Sequence, residues 1–259
     1  SDLRGETLNL EDAFIGLTGE YQPGWMLLSY GKKVSVSSSL EGYPAENIVD
    51  EDARTAWVAQ SNRDMEWAQV DLQRLSSIHA IQVNFDEYGA NQKGAVSGVY
   101  QSYLIYASVN GEDWSLVVDY GTKKTDTPHD YIEFEEPFKA RYIKLQNKEY
   151  MVSENFSVRD LRIFGKGQGS TPRAVNDFTV ERDEADPCKA RLCWEAVPDA
   201  QGYIVRYGIA GDKLYNNFQV MGENTLEIGS LNKGVAYYFT IDAYNENGIT
   251  RTSRIKVCR

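Results

Sequence analysis

The sequence is short of positive charge, of histidine and of helix-forming pattern. Its 27 Lys and Arg stand against 38 Asp and Glu, for a net charge of -11. A chain of that sign repels phosphate backbones and anionic lipid. Nucleic acid is thereby excluded as a partner class, and insertion into an acidic membrane is disfavoured. No apolar run approaches the length of a membrane span and no secretory leader opens the chain, which begins at Ser1 and reads as a piece of something longer. Histidine is limited to His79 and His129, and cysteine to Cys188, Cys193 and Cys258. None of these falls in a Cys-x-x-Cys or Cys/His spacing suited to zinc. No stretch keeps a 3.6-residue apolar period long enough for a sizeable helix.

What is present points to strands. Aromatics are abundant, with 17 Tyr, 9 Phe and 5 Trp, and 21 Gly punctuate short alternating apolar runs, so the chain reads as all-β. At 259 residues it is long enough for two domains with separate cores. Residues 1–28 read as an N-terminal arm or the tail of a preceding domain, and residues 29–166 as a first β domain. The Gly/Ser/Pro-rich residues 167–173 read as a linker, and residues 174–259 as a second β domain.

The first domain is organised around residues 45–57, Ala-Glu-Asn-Ile-Val-Asp-Glu-Asp-Ala-Arg-Thr-Ala-Trp. Ile48 and Val49 anchor a loop that offers Asp50, Asp52 and the Thr55 hydroxyl before Trp57 returns to the core. Those oxygens are the ligand types that calcium prefers. Asp50 and Asp52 have an equal alternative, capping turns by accepting backbone N–H groups.

Further along, Glu66-Trp-Ala-Gln-Val-Asp-Leu72 alternates as a strand and residues 78–85 form another. Residues 108–114 carry an Asn-Gly turn, followed by Ala140-Arg-Tyr-Ile-Lys-Leu145 and Val158-Arg-Asp-Leu-Arg-Ile-Phe-Gly165. In that order these pieces resemble the discoidin, or coagulation factor 5/8 type C, family, including carbohydrate-binding module family 32. The resemblance implies a jelly-roll β-sandwich and a glycan as partner. It also implies a structural calcium ion held by Asp50, Asp52 and Thr55, with Asp160 as a further ligand. Two departures stand against this pattern: Glu51 replaces the family's Gly after Asp50, at a cost of about 1 kcal/mol for a left-handed turn, and Asp160 replaces the usual Glu. Galactose-binding members carry a His after the Trp and an Arg at the end of the next long strand. Here those places hold Val58 and the pair Asp86 and Glu87, a departure from galactose-type recognition.

A sugar site needs a flat aromatic for the ring's apolar face and planar polar groups for its hydroxyls. The loops supply Gln60, Asn62, Arg63, Tyr88, Asn91 and Tyr150. Thr127-Pro-His-Asp-Tyr131, together with residues 25–30 and 83–87, resembles the discoidin domains behind bacterial family 43 glycoside hydrolases. That resemblance implies an upstream xylosidase- or arabinofuranosidase-like catalytic domain in the same chain. No nucleophile or carboxylate pair accompanies His129 and Asp130, so they read as a buried histidine held by a carboxylate, and no catalysis is expected within these residues.

Beyond the linker, about seven strands at sandwich spacing, with Trp194, Tyr203 and Tyr237, resemble a fibronectin type III domain. Tyr237 is its expected corner tyrosine and Trp194 its core residue. In that topology Cys188, in the turn after the first strand, and Cys258, at the end of the last, share a pole, so a Cys188–Cys258 disulfide is expected in an oxidising compartment. The functional expectation is a non-catalytic ancillary region of a secreted, periplasmic or surface-displayed bacterial glycoside hydrolase. An adhesion or protein-interaction module without sugar binding is the alternative.

Overall fold

The structure, a computed structural model, describes residues 25–90 and 98–259. The expected arm lies largely outside them. The described chain divides into two compact units, residues 27–168 and 169–259, and both are built of antiparallel strands. No helix among the described residues is long and apolar enough to cross a membrane.

The first unit is an 8-stranded sheet folded over on itself. Its strands are β1 (Met26–Leu27), β2 (Lys33–Val36), β3 (Trp57–Val58), β4 (Trp67–Phe85), β5 (Gln101–Ser108), β6 (Ser115–Tyr120), β7 (His129–Tyr150) and β8 (Ser157–Lys166), with one 3-10 turn at Ala45–Val49. Their order is β1-β8-β4-β7-β5-β6, with β2 on β4 and β3 on β8. Alternation dictates the inward face: Ala68, Val70 and Leu72 are buried while Gln69 and Asp71 turn outward.

The two strands expected at residues 66–72 and 78–85 are one, because the chain bends without leaving the sheet. A register shift separates Asp71 from Ser76. Within it Gln73 takes φ 66 and donates its N–H to the Asp71 carboxylate at 2.7 Å. Such a bulge re-aims a strand without ending it. The first half of β4 pairs with β2 and the end of β7, and the second half with β8 and the start of β7. Both long strands therefore start and finish at the same pole. The loops at residues 37–44, 59–66, 86–90, 121–128 and 151–156 gather there.

Beneath that pole lies a floor of buried rings. Trp57 meets Phe156 edge-on at 5.8 Å, Phe156 meets Tyr150 at 5.3 Å, and Phe85 meets Tyr103 at 5.3 Å. Edge-to-face contacts of this kind add about 0.5–1.5 kcal/mol each beyond area burial.

The second unit has a 3-stranded and a 5-stranded sheet. The first comprises β9 (Phe178–Arg182), β10 (Ala190–Trp194) and β13 (Thr225–Ile228). The second comprises β11 (Gly202–Gly208), β12 (Asn216–Met221), β14 (Tyr237–Asn245), β15 (Gly248–Thr250) and β16 (Lys256–Cys258). Trp194 and Tyr203 meet at 5.1 Å in a core shared with Leu192, Val205, Phe239 and Ile241. The buried Tyr237 hydroxyl accepts the Asn232 N–H at 3.2 Å.

The expected Cys188–Cys258 bridge is absent, and all three cysteines are free thiols. Beside Cys258 stands the Arg182 guanidinium, which bonds the carbonyls of Pro187 and Val235 and acts on the Cys258 thiol. Burial pushes the Cys258 thiol above its ordinary range, against the pull of that cation.

Candidate functional site

The loops of the first unit are fastened by their own polar groups. Asn147, wholly buried, donates to the carbonyls of Asn62 and Arg63 at 2.8 and 2.9 Å. The Asn62 amide reaches the carbonyls of Ser153 at 2.9 Å and Tyr150 at 3.3 Å, and Asn155 bonds the Ala59 carbonyl at 2.8 Å. Residues 59–66 are thereby laced to residues 147–156. Glu66 holds the other flank, accepting the hydroxyls of Ser37, of Ser38 at 2.8 Å and of Ser61 at 2.7 Å. Burial pushes its carboxyl up, but the serine donors outweigh that and hold it below the ordinary range.

On this frame some of the sequence-predicted sugar residues come together and others do not. Gln60 and Arg63 are exposed. Gln60 donates to the Ser39 carbonyl at 3.4 Å, and Ser39 in turn holds the Tyr43 carbonyl at 2.8 Å. Tyr43 meets Tyr88 edge-on at 4.9 Å, both rings half-buried. The pair offers aromatic surface beside an amide. Tyr43 was missed from sequence, although an aromatic between the turn formers Gly42 and Pro44 was the available signal.

Tyr150 must be corrected. It is 1% exposed, packs on Phe85 and Phe156, and donates its hydroxyl to the Asp86 carbonyl. The ring belongs to the floor and offers no face to a ligand. Asn62 is likewise spent on loop carbonyls, and Asn91 lies outside the described residues. Val58, at the place of the galactose-type histidine, is wholly buried. His129 is exposed rather than buried: its Nδ1 lies 3.1 Å from Asn84 Oδ1, while the buried Asp130 accepts Tyr103 at 2.7 Å and Lys123 at 2.6 Å. Strand alternation sends the two to opposite faces.

The oxygen-rich turn does not fit the calcium ion expected there. Asp50 accepts the Asp52 N–H with one oxygen and the Thr55 hydroxyl with the other, each at 2.8 Å. Asp52 is turned outward to Arg54, at 3.0 Å from its N–H and 3.1 Å from Nε. Asp160 accepts Asn84 at 2.8 Å. Glu51, at φ 60, takes the left-handed conformation and meets Arg162 through both carboxylate oxygens, at 3.0 and 2.7 Å. Among the described residues no group of three or more His, Cys, Asp or Glu is placed to hold a metal ion. Burial is the first cause lifting both the Glu51 and the Asp160 carboxyls above their ordinary values, against the pull of Arg162. The turn-capping alternative is the one these bonds follow.

Part of the chain matches known proteins. Residues 33–160 match the model of the F5/8 type C domain family. Lactadherin from Rattus norvegicus is 33% identical over 110 residues, covering 40% of this chain and 25% of that protein, and the Mus musculus protein is 32% identical over 110 residues, covering 40% and 23%. The chain thus spans about a quarter of the length of these curated relatives. Among solved structures, chitosan-binding module 1 of a chitosanase/glucanase from Paenibacillus sp. IK-5 is 20% identical with a TM-score of 0.45, covering 54% of this chain and 98% of that one. The family 32 carbohydrate-binding module of C. perfringens NanJ, solved in complex with galactose, is 17% identical with a TM-score of 0.44, over 54% and 98%. The chain carries an F5/8 type C domain over residues 33–160.

Proposed function

We propose that this chain is a non-catalytic, carbohydrate-binding ancillary region of a secreted, periplasmic or surface-displayed bacterial glycoside hydrolase. The first unit binds glycan at its loop pole. The observation that carries this reading is the Tyr43–Tyr88 pair, on the same pole as the exposed Gln60, with loops that Asn147, Asn62 and Asn155 lock in place. Sugar recognition needs an aromatic surface and planar polar groups held in a fixed relation, so that little order is lost on binding. The second unit is read as a fibronectin type III spacer. Its strand order, the buried Trp194 and the Tyr237 hydroxyl bonded five residues upstream support that reading. An upstream family 43 catalytic domain, xylosidase- or arabinofuranosidase-like, completes the proposal.

A glycan array followed by calorimetry on the best glycan tests it. Tyr88→Ala and Tyr43→Ala are each expected to weaken binding about tenfold or more while the fold is kept. Unchanged affinity in both variants would move the site away from this pole. A blank array with an active protein-capture control would replace glycan binding by the adhesion or protein-interaction reading.

A further inference from the structure

We propose that the Arg162 guanidinium supplies, as a fixed part of the chain, the positive charge that the turn at residues 50–55 would otherwise take from a divalent cation. The argument starts at Glu51. A left-handed backbone at φ 60 is a glycine's place, and a glutamate there must be held by what its side chain does. It points the carboxylate onto Arg162, Nε to Oε1 at 3.0 Å and Nη2 to Oε2 at 2.7 Å. The planar guanidinium matches a carboxylate in this two-bonded form. Only 11% of the Arg162 side chain and 17% of the Glu51 side chain are exposed, so the attraction is little screened by water.

The pair is braced from the sheet beneath. Arg162 Nη1 donates to Gln82 Oε1 at 3.1 Å, Gln82 Nε2 to Asn84 Oδ1 at 3.2 Å, and Asn84 Nδ2 to Asp160 Oδ2 at 2.8 Å. These residues sit opposite one another across β4 and β8, Gln82 against Arg162 and Asn84 against Asp160. A continuous polar ladder therefore runs from the turn to the Asp160 carboxylate. Asp50 and Asp160 both lie close enough to Glu51 to repel its charge, and Arg162 acts on Glu51 and Asp160 alike. Glu51 pairs directly with this cation and Asp160 feels its charge, and the cation here is covalently attached.

Calorimetric titration of calcium chloride into the chelator-washed 259-residue chain, with melting curves of the same samples, tests the inference. The wild type is expected to give no binding heat, and the midpoint of its first unit to be equal in chelator and in millimolar calcium. Arg162→Gln is expected to lower that midpoint by roughly 5–10 °C, and millimolar calcium to recover part of the fall. Arg162→Lys, which keeps the charge but not the fork, should melt between the two and stay insensitive to calcium. A calcium-dependent rise in the wild-type midpoint would overturn the proposal. So would an Arg162→Gln variant that melts like the wild type, or one whose loss calcium leaves untouched. If Arg162→Gln does not fold, the wild-type titration and Arg162→Lys still decide the matter.

Discussion

The loop pole and the turn at residues 50–55 use the same residue types, Asp, Asn, Glu and hydroxyls, with opposite results. At the turn the carboxylates of Asp50, Glu51, Asp52 and Asp160 all accept from donors within the chain. At the pole the inward polar groups are spent in the same way, yet the lacing of Asn147, Asn62 and Asn155 leaves Gln60 and Arg63 exposed, with the Tyr43–Tyr88 pair on the same pole. A polar loop becomes a binding surface when its internal bonds fix the frame and leave outward groups over. It becomes pure structure when the internal bonds consume them all.

The difference can be broken most severely from below. Phe156→Ala removes the ring against which Trp57, Tyr150 and Phe85 pack, and should destabilise the first unit by about 3–5 kcal/mol in denaturant titration. A loss under 1 kcal/mol would show that the floor is not what supports the pole. Asn147→Ala cuts the lacing itself, leaving the Asn62 and Arg63 carbonyls without their buried donor. It should cost about 1–3 kcal/mol and raise amide hydrogen exchange in residues 59–66 while the turn at 50–55 keeps its protection.

Glu51→Gly sharpens the other side. Backbone preference alone predicts a gain of about 1 kcal/mol, whereas loss of the largely buried pair predicts a larger loss. The net expectation is a fall of about 1 kcal/mol in the same denaturant titration, and a rise would mean that the pair contributes nothing.

The smallest effect is one of pH. Glu66 is held below its ordinary 4.5, so its contribution to stability is complete above that value and is lost as pH falls through the lowered one. Glu66→Gln should accordingly flatten the acid-side decline of the melting midpoint below about pH 4.5. Asp160, lifted by burial, runs the other way, since protonation favours its folded form as pH falls. Asp160→Asn should therefore leave the acid decline steeper than in the wild type.

Alternation and turn chemistry made the strands legible, because Ala68, Val70, Leu72 and their partners carry the period in the chain itself. The joining of two expected strands into β4 was not legible: the bend rests on Gln73 in a left-handed conformation, with neither Gly nor Pro to mark it. Strand β12, on the edge of its sheet, carries little signal for a similar reason, since its run Asn-Asn-Phe-Gln-Val-Met alternates too weakly. Of the site, the loops bearing Gln60, Arg63 and Tyr88 were readable as loops. Whether a side chain on them faces outward depends on partners far along the chain. Tyr150 looked like a loop aromatic and is a core ring because Asp86, 64 residues earlier, receives its hydroxyl. Glu51 looked like a defect in a metal loop because its partner stands 111 residues away.

The bent β4 and β7 have a mechanical consequence. The first unit's entering chain bonds to β8 at Leu28 and Ile163, and the chain leaves it after Lys166, which stands opposite Ser77 at the end of the sheet away from the loops. Tension carried through the backbone would enter and exit at this one edge and peel β1 from β8 a bond at a time. The loop pole, at the opposite end of β8 and β4, would be loaded only after that edge had given way.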